Sequence, residues 1–272
     1  MPDPILVVVP WIKVNENHME HFIEWYAANK SRHNLKRLHT YYKATHQAQA
    51  RALHMARQLN CSHILFTEDD QWGYPIDGLD VLLEADKDVI GFQTYFKDHP
   101  YNSMCCRKTN RDDSLIAMTD GNKPKVLLPF ERKGGPVIQT TDLLTWAFTL
   151  VKVSVFDHMT EADKHPFKQW GPHPTDSFFC QYCEDLDIER YVHFGCTISH
   201  GAVAAKDRAY ARQIYDEKHP DVVKVVLKDD LDNVYGVTEH VPYRQALESH
   251  FAKPATTQET YNGRAVNDAR LV

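Results

Sequence analysis

The feature that most restricts the fold is the run Ile5 to Val9, five apolar residues without a polar alternation, stopped by Pro10. A strand with water on one face alternates, whereas a uniformly apolar one is covered on both faces, as in a sheet with helices on either side. The segments that follow have the period such helices need. Met19, Phe22, Ile23 and Tyr26 share a helical face in "NENHMEHFIEWYAANK", and Ala44, Ala48, Ala52, Met55 and Leu59 do so in "KATHQAQARALHMARQL". "HILFT" and "DVIGF" read as two further buried strands, with "DGLDVLLEAD" as a helix between them. This alternation predicts an α/β domain built on a mostly parallel sheet flanked by helices.

From Lys97 to Thr141 the periodicity is broken by Pro, Gly, Asn, Lys and Arg, and "ERKGGP" marks a turn. The stretch reads as a loop able to close over a site. Order returns with "WAFTLVKVSVFDHM", a strand running into a helix, and with "TDSFFCQYCEDL", a short helix that Thr175 or Asp176 could cap. "RYVHFGCTISHG" is a last strand ending near His200. A helix is expected from Asp207, then "DVVKVVL" and "YRQALESHF" as peripheral elements, and the closing "AKPATTQETYNGRAVNDARLV" is polar and loose. Residues 1–205 thus form the expected main domain and 206–272 a C-terminal extension packed on it or trailing from it.

Bulk properties remove several function classes. A net charge of -6 over 272 residues gives no global basic field, so sequence-independent nucleic-acid binding is not expected. The N-terminus lacks a basic leader region, and no segment approaches the ~20 apolar residues of a membrane span. Six scattered cysteines, Cys105 and Cys106 adjacent, do not resemble a disulfide framework. A soluble, cytoplasmic protein is expected. No G-x-G-x-x-G follows the first strand and no G-x-x-x-x-G-K-[ST] occurs, so neither usual phosphate cradle is present.

Chemistry concentrates where "HILFTEDDQWGYP" carries three adjacent carboxylates, Glu68, Asp69 and Asp70, beyond a strand. Acids there either point into water or share a hard divalent cation, Mn²⁺ or Mg²⁺, which could bridge to a diphosphate. His200, between Ser199 and Gly201, is a competent further ligand. A rival metal reading is structural zinc on Cys180 and Cys183 with Cys196 and His193 or His200, although the spacing fits poorly. Asp176 is either a helix cap or a general base. Arg51 flanks its helix face, as a surface residue or a diphosphate contact. Arg107, Lys108, Arg111, Lys123, Lys125, Arg132 and Lys133 make the middle segment locally basic, diluted by Asp112, Asp113 and Glu131.

The order of these parts resembles the GT-A fold glycosyltransferases, the small family-2-like enzymes of bacteria and bacteriophages. The pieces are the strand ending at Val9-Pro10, "QARALHMA", "ILFTEDD", "DVIGF", "LLTWAFTLVKVSVFDHM", "TDSFFC" and "HFGCTISHG", spanning about residues 5 to 202. The resemblance implies a Rossmann-like GT-A domain that transfers a sugar from a nucleoside-diphosphate donor, a UDP-sugar favoured, to an acceptor hydroxyl. Glu68 and Asp70 fall where the family's D-x-D lies, with Asp70 and His200 as metal ligands, and Glu at the first position is a departure. Pro10, Trp11, Arg51, Glu68 and Asp69 would meet the donor, and Asp176 would be the catalytic aspartate. Asp142, Trp146 and Ala147 would line the acceptor pocket. The acceptor could be a glycan, a protein or, given the bacteriophage resemblance, a hydroxylated base in DNA. Inverting and retaining chemistry both stay open. So do a carbohydrate-binding or sugar-nucleotide-binding module without turnover and a metal-dependent phosphoesterase.

Overall fold

A computed structural model describes residues 2–11, 16–41, 45–95, 103–108, 127–129, 135–168, 175–201, 222–228 and 234–240, with only the backbone described at 10, 11, 41, 127–129 and beyond 201. The first half is β1 (Ile5–Trp11), α1 (Glu16–Asn29), β2 (Leu35–Tyr41), α2 (Thr45–Gln58), β3 (His63–Phe66), β4 (Gln71–Trp72), α3 (Gly78–Glu84) and β5 (Val89–Thr94). Then come β6 (Cys106–Lys108), β7 (Leu127–Pro129), β8 (Ile138–Thr140), β9 (Thr149–Lys152), α4 (Val153–Glu161), α5 (Thr175–Asp185), β10 (Tyr191–His200), β11 (Val222–Lys228) and β12 (Val234–His240).

The main sheet has the order β2-β1-β3-β9-β5-β10-β4, with β8 also on β10. β1, β2, β3, β5 and β10 point one way, and β4, β8 and β9 run against them. The sheet is therefore mixed but mostly parallel, as the alternating pattern requires. β1 shows why its sequence is apolar throughout. Leu6 and Val8 join Ile64, Phe66, Ala52, Phe156 and Phe179 in one core layer, while Ile5, Val7 and Val9 join Phe22, Trp25, Leu79 and Leu82 in the other.

β9 passes antiparallel between β3 and β5 and leads directly into α4, with Lys152 extended at φ -64 and ψ 137 as the last residue before the helix. Its entry is tight. A Cβ on Gly91 would lie 2.4 Å from Thr149 Oγ1, so only glycine fits that position of β5. Phe148 takes a left-handed φ of 49°, unusual for a bulky residue, while its fully buried ring packs 5.0 Å from Tyr74 and 5.2 Å from Trp25.

Three local expectations change. α1 buries His18, Phe22, Trp25 and Asn29 rather than Met19 and Ile23, and Ile23 is 54% exposed. Polar residues can occupy the buried face because each finds a main-chain partner: His18 Nδ1 donates to Gln71 O (2.7 Å), and Asn29 Nδ2 to Ile76 O (2.8 Å). β2 was not expected, since Lys36, Arg37 and His39 interrupt its apolar residues, as an edge strand with one partner allows. The stretch read as a loop from 97 to 141 contains β6 paired with β7, and β8 paired with β10. Residues 97–102, 109–126 and 130–134 of this stretch, the helix expected from Asp207, "YRQALESHF" and the closing segment lie outside the described residues. From 206–272 the described part is the hairpin of β11 and β12. Among the described residues no helix is long and apolar enough to cross a membrane, and the six cysteines are free.

Candidate active site

Thr67 closes β3 by sending both its N–H (3.1 Å) and its hydroxyl (2.9 Å) to Val8 O. The chain then turns through the three acids and re-enters the sheet as β4, where Gln71 and Trp72 pair with His200 and Ser199 at the end of β10. Gly201 N–H donates to Asp70 O (2.7 Å), and Trp72 Nε1 to Gly201 O (2.8 Å). This lattice carries the acidic turn to a histidine about 130 residues later in sequence. His200 Nδ1 donates to Tyr95 O (2.8 Å), which fixes the ring and leaves Nε2 3.3 Å from Asp70 Oδ2. Glu68, Asp70 and His200 each offer one ligand atom within 4.8 Å of the others.

The charges are crowded. Burial pushes the Glu68 carboxyl up to about 7, with the neighbouring charges of Asp176 and Asp70 adding to it. Burial likewise raises Asp176 to about 6, against the lowering effect of backbone N–H donors that include Ser177 (2.8 Å). For His200 burial acts downward, but the hydrogen bond and charge of Asp70 carry the net shift upward. Two carboxylates and an imidazole are an oxygen-rich donor set that suits Mn²⁺ or Mg²⁺, and a divalent charge would offset the burial and the neighbouring charges that raise Glu68.

The other expected residues are placed as follows. Asp69 belongs to the same turn, partly exposed. Asp176 lies in the first turn of α5, inside the helix rather than before it, and its field reaches Glu68. Pro10 and Trp11 end β1, and their side chains lie outside the described residues. Arg51 is exposed on α2 and is not part of the triad. Asp142 accepts from Lys108 N–H (2.8 Å). Ala147 and Trp146 are buried, at 0% and 2% exposed. The indole packs against Phe66 and Phe179, and its N–H donates to Thr175 Oγ1 (2.9 Å) at the start of α5.

Structural zinc finds no support in the geometry. Among the described residues the triad is the one cluster of ligand-type side chains, and Cys180 and Cys183 are 0% exposed in the core with thiols raised by burial. They act as small apolar residues. Of the basic segment, the Lys108 side chain is buried against Glu184 and Arg107 is half-buried. Arg111, Lys123, Lys125, Arg132 and Lys133 lie outside the described residues. Gln71, His18 and Tyr74, which support the acidic turn, carry no signal in the sequence: His18 and Tyr74 act on the main-chain O of Gln71, and Gln71 acts through its amide on Glu68.

No family model and no curated protein matches the sequence. Among solved structures it is similar to protein A197 from STIV, at 11% identity and TM-score 0.47, over 74% of this chain and 86% of that one. It is also similar to GalNAc-T7 with UDP, GalNAc and Mn²⁺, at 8% identity and TM-score 0.41, over 75% of this chain but only 45% of that one. A third is 4-diphosphocytidyl-2C-methyl-D-erythritol synthase from Anaerococcus prevotii, at 10% identity and TM-score 0.37, over 79% of this chain and 99% of that one. Similarity this low leaves the chemistry to be argued from the residues themselves.

Proposed function

We propose that this chain is a metal-dependent glycosyltransferase of GT-A type that moves a sugar from a nucleoside-diphosphate donor, a UDP-sugar favoured, to an acceptor hydroxyl with inversion. The observation that carries the reading is the meeting of Glu68, Asp70 and His200 within 4.8 Å, with the raised carboxyl of Asp176 close enough to act on Glu68. Asp70 and His200 would hold Mn²⁺ or Mg²⁺, with Glu68 completing the set or meeting the donor. When bound, the cation supplies positive charge against the diphosphate leaving group.

Asp176 has the properties of a base for the other half of the reaction. A group titrating at about 6 is ionised at neutral pH yet still basic enough to accept a proton from a hydroxyl as it attacks the anomeric carbon. Its position at the first turn of α5 is fixed by the Ser177 N–H and, one residue earlier, by the Trp146 bond to Thr175. Pro10, Trp11, Arg51 and Asp69 are assigned to the donor, and Asp142 to the acceptor side. Trp146 and Ala147, given to the acceptor pocket by resemblance, act there from beneath. A glycan or a hydroxylated DNA base is the acceptor this reading tests first, in a soluble cytoplasmic setting.

Incubation with a panel of UDP- and GDP-sugars, with Mn²⁺ or with chelator, tests the proposal. Metal-dependent release of nucleoside diphosphate supports it. Binding without turnover would make the chain a module, and phosphate release from simple esters would make it a phosphoesterase.

A further inference from the structure

Gln71 is the residue on which the acidic turn, α1 and β10 converge. It is 0% exposed. Its side-chain Nε2 donates to Glu68 Oε2 (2.5 Å), a charge-assisted bond that occupies one carboxylate oxygen and leaves the other available. Its main-chain O accepts from both His18 Nδ1 (2.7 Å) and Tyr74 OH (2.9 Å), and its N–H turns back to Glu68 O (3.4 Å). Its backbone pairs with that of His200 in the β4–β10 ladder. One buried amide is therefore tied to one member of the triad through its side chain and to another through its main chain.

A glutamate has three rotatable bonds, and holding its carboxylate at a point costs rotamer freedom unless a neighbour has already restricted it. The His200 ring is restricted by the Tyr95 bond, and the Asp70 carboxylate lies 3.3 Å from that ring; for Glu68 the restriction comes from the amide of Gln71. Gln71 Oε1 is buried and makes no hydrogen bond, so the amide is held in place by its Nε2 bond to Glu68 and by its main chain.

We propose that Gln71 is a positioning residue that holds the Glu68 carboxylate in ligating register with Asp70 and His200, so that the affinity of the site for a divalent cation depends on Gln71 through Glu68. This rests on the metal reading given above. It predicts coupling, which a purely structural glutamine would not show. Mn²⁺ affinity is measured by water-proton relaxation, extended to millimolar Mn²⁺, for the full chain, Gln71→Met, Glu68→Gln and the double variant. Met conserves length and removes the donor. Gln71→Met should weaken Mn²⁺ binding about tenfold in the parent and less than about twofold in the Glu68→Gln background. Gln71→Leu, similar in volume, repeats the comparison should the Met side chain not be accommodated, and thermal melting without metal identifies variants that fold. Equal losses in both backgrounds, or no loss in the parent, would overturn the role of Gln71 while leaving the metal centre standing. Absence of Mn²⁺ binding by the parent chain would remove the metal centre and the inference with it.

Discussion

Glu68 keeps its proton more tightly in the folded chain than in the unfolded one, at about 7 against an ordinary 4.5. The folded state therefore binds more protons between those values, and stability from this group falls as pH rises from 4.5 to 7 and stays lost above. Histidines that burial lowers, His18, His63, His193 and the half-buried His39 at about 4, act oppositely, losing stability as pH falls. The Glu68 contribution is isolated by difference. In chelator, Glu68→Gln should melt higher than the parent at about pH 8 and gain little at about pH 5, with each kcal/mol giving roughly 2–4 °C. A gain that is constant with pH would place the raised carboxyl elsewhere. Asp176→Asn makes a second residue-scale case. It keeps size and an acceptor oxygen for Ser177 while removing the proposed base, so turnover should fall by more than about tenfold with donor affinity retained. Kinetics with an active acceptor check this, and near-parental turnover would exclude Asp176 as base.

At the scale of elements, the strands and helices that build both core layers were legible because burial on two faces writes itself as β-branched runs and a 3.6-residue period. The places that were not legible lack a local apolar pattern. The buried face of α1 depends on polar residues whose partners are main-chain atoms elsewhere, as with His18 on Gln71 and Asn29 on Ile76, and β2 is an edge strand whose charged residues interrupt its apolar ones. Asp70 and His200 could be picked out as ligand types in the sequence, but the β4–β10 pairing that joins them spans 129 residues, from Gln71 to His200, and has no local signal. β9 offers an element-scale test. Gly91→Ala would push a methyl against Thr149 Oγ1, so it should cost about 1–3 kcal/mol in denaturant unfolding, and Thr149→Ala should return part of that loss. Full stability of Gly91→Ala would mean that β5 and β9 are less closely paired than described.

For the whole molecule, the sheet serves to bring distant ends together. β3, β5 and β10 share a direction, so Glu68 and Asp70 beyond β3, Tyr95 beyond β5 and His200 at the close of β10 gather at one edge, where α/β sheets place ligand sites. The account depends on that edge holding a divalent cation that in turn holds a diphosphate. The most direct measurement is calorimetric titration of UDP into the full chain with and without Mn²⁺, repeated for Asp70→Asn and His200→Ala. The account predicts UDP binding that requires Mn²⁺ in the parent and weakens at least tenfold in both variants, whose melting without metal stays close to the parent's. UDP binding that is indifferent to Mn²⁺, or Mn²⁺-dependent binding that both folded variants retain at parental strength, would contradict it.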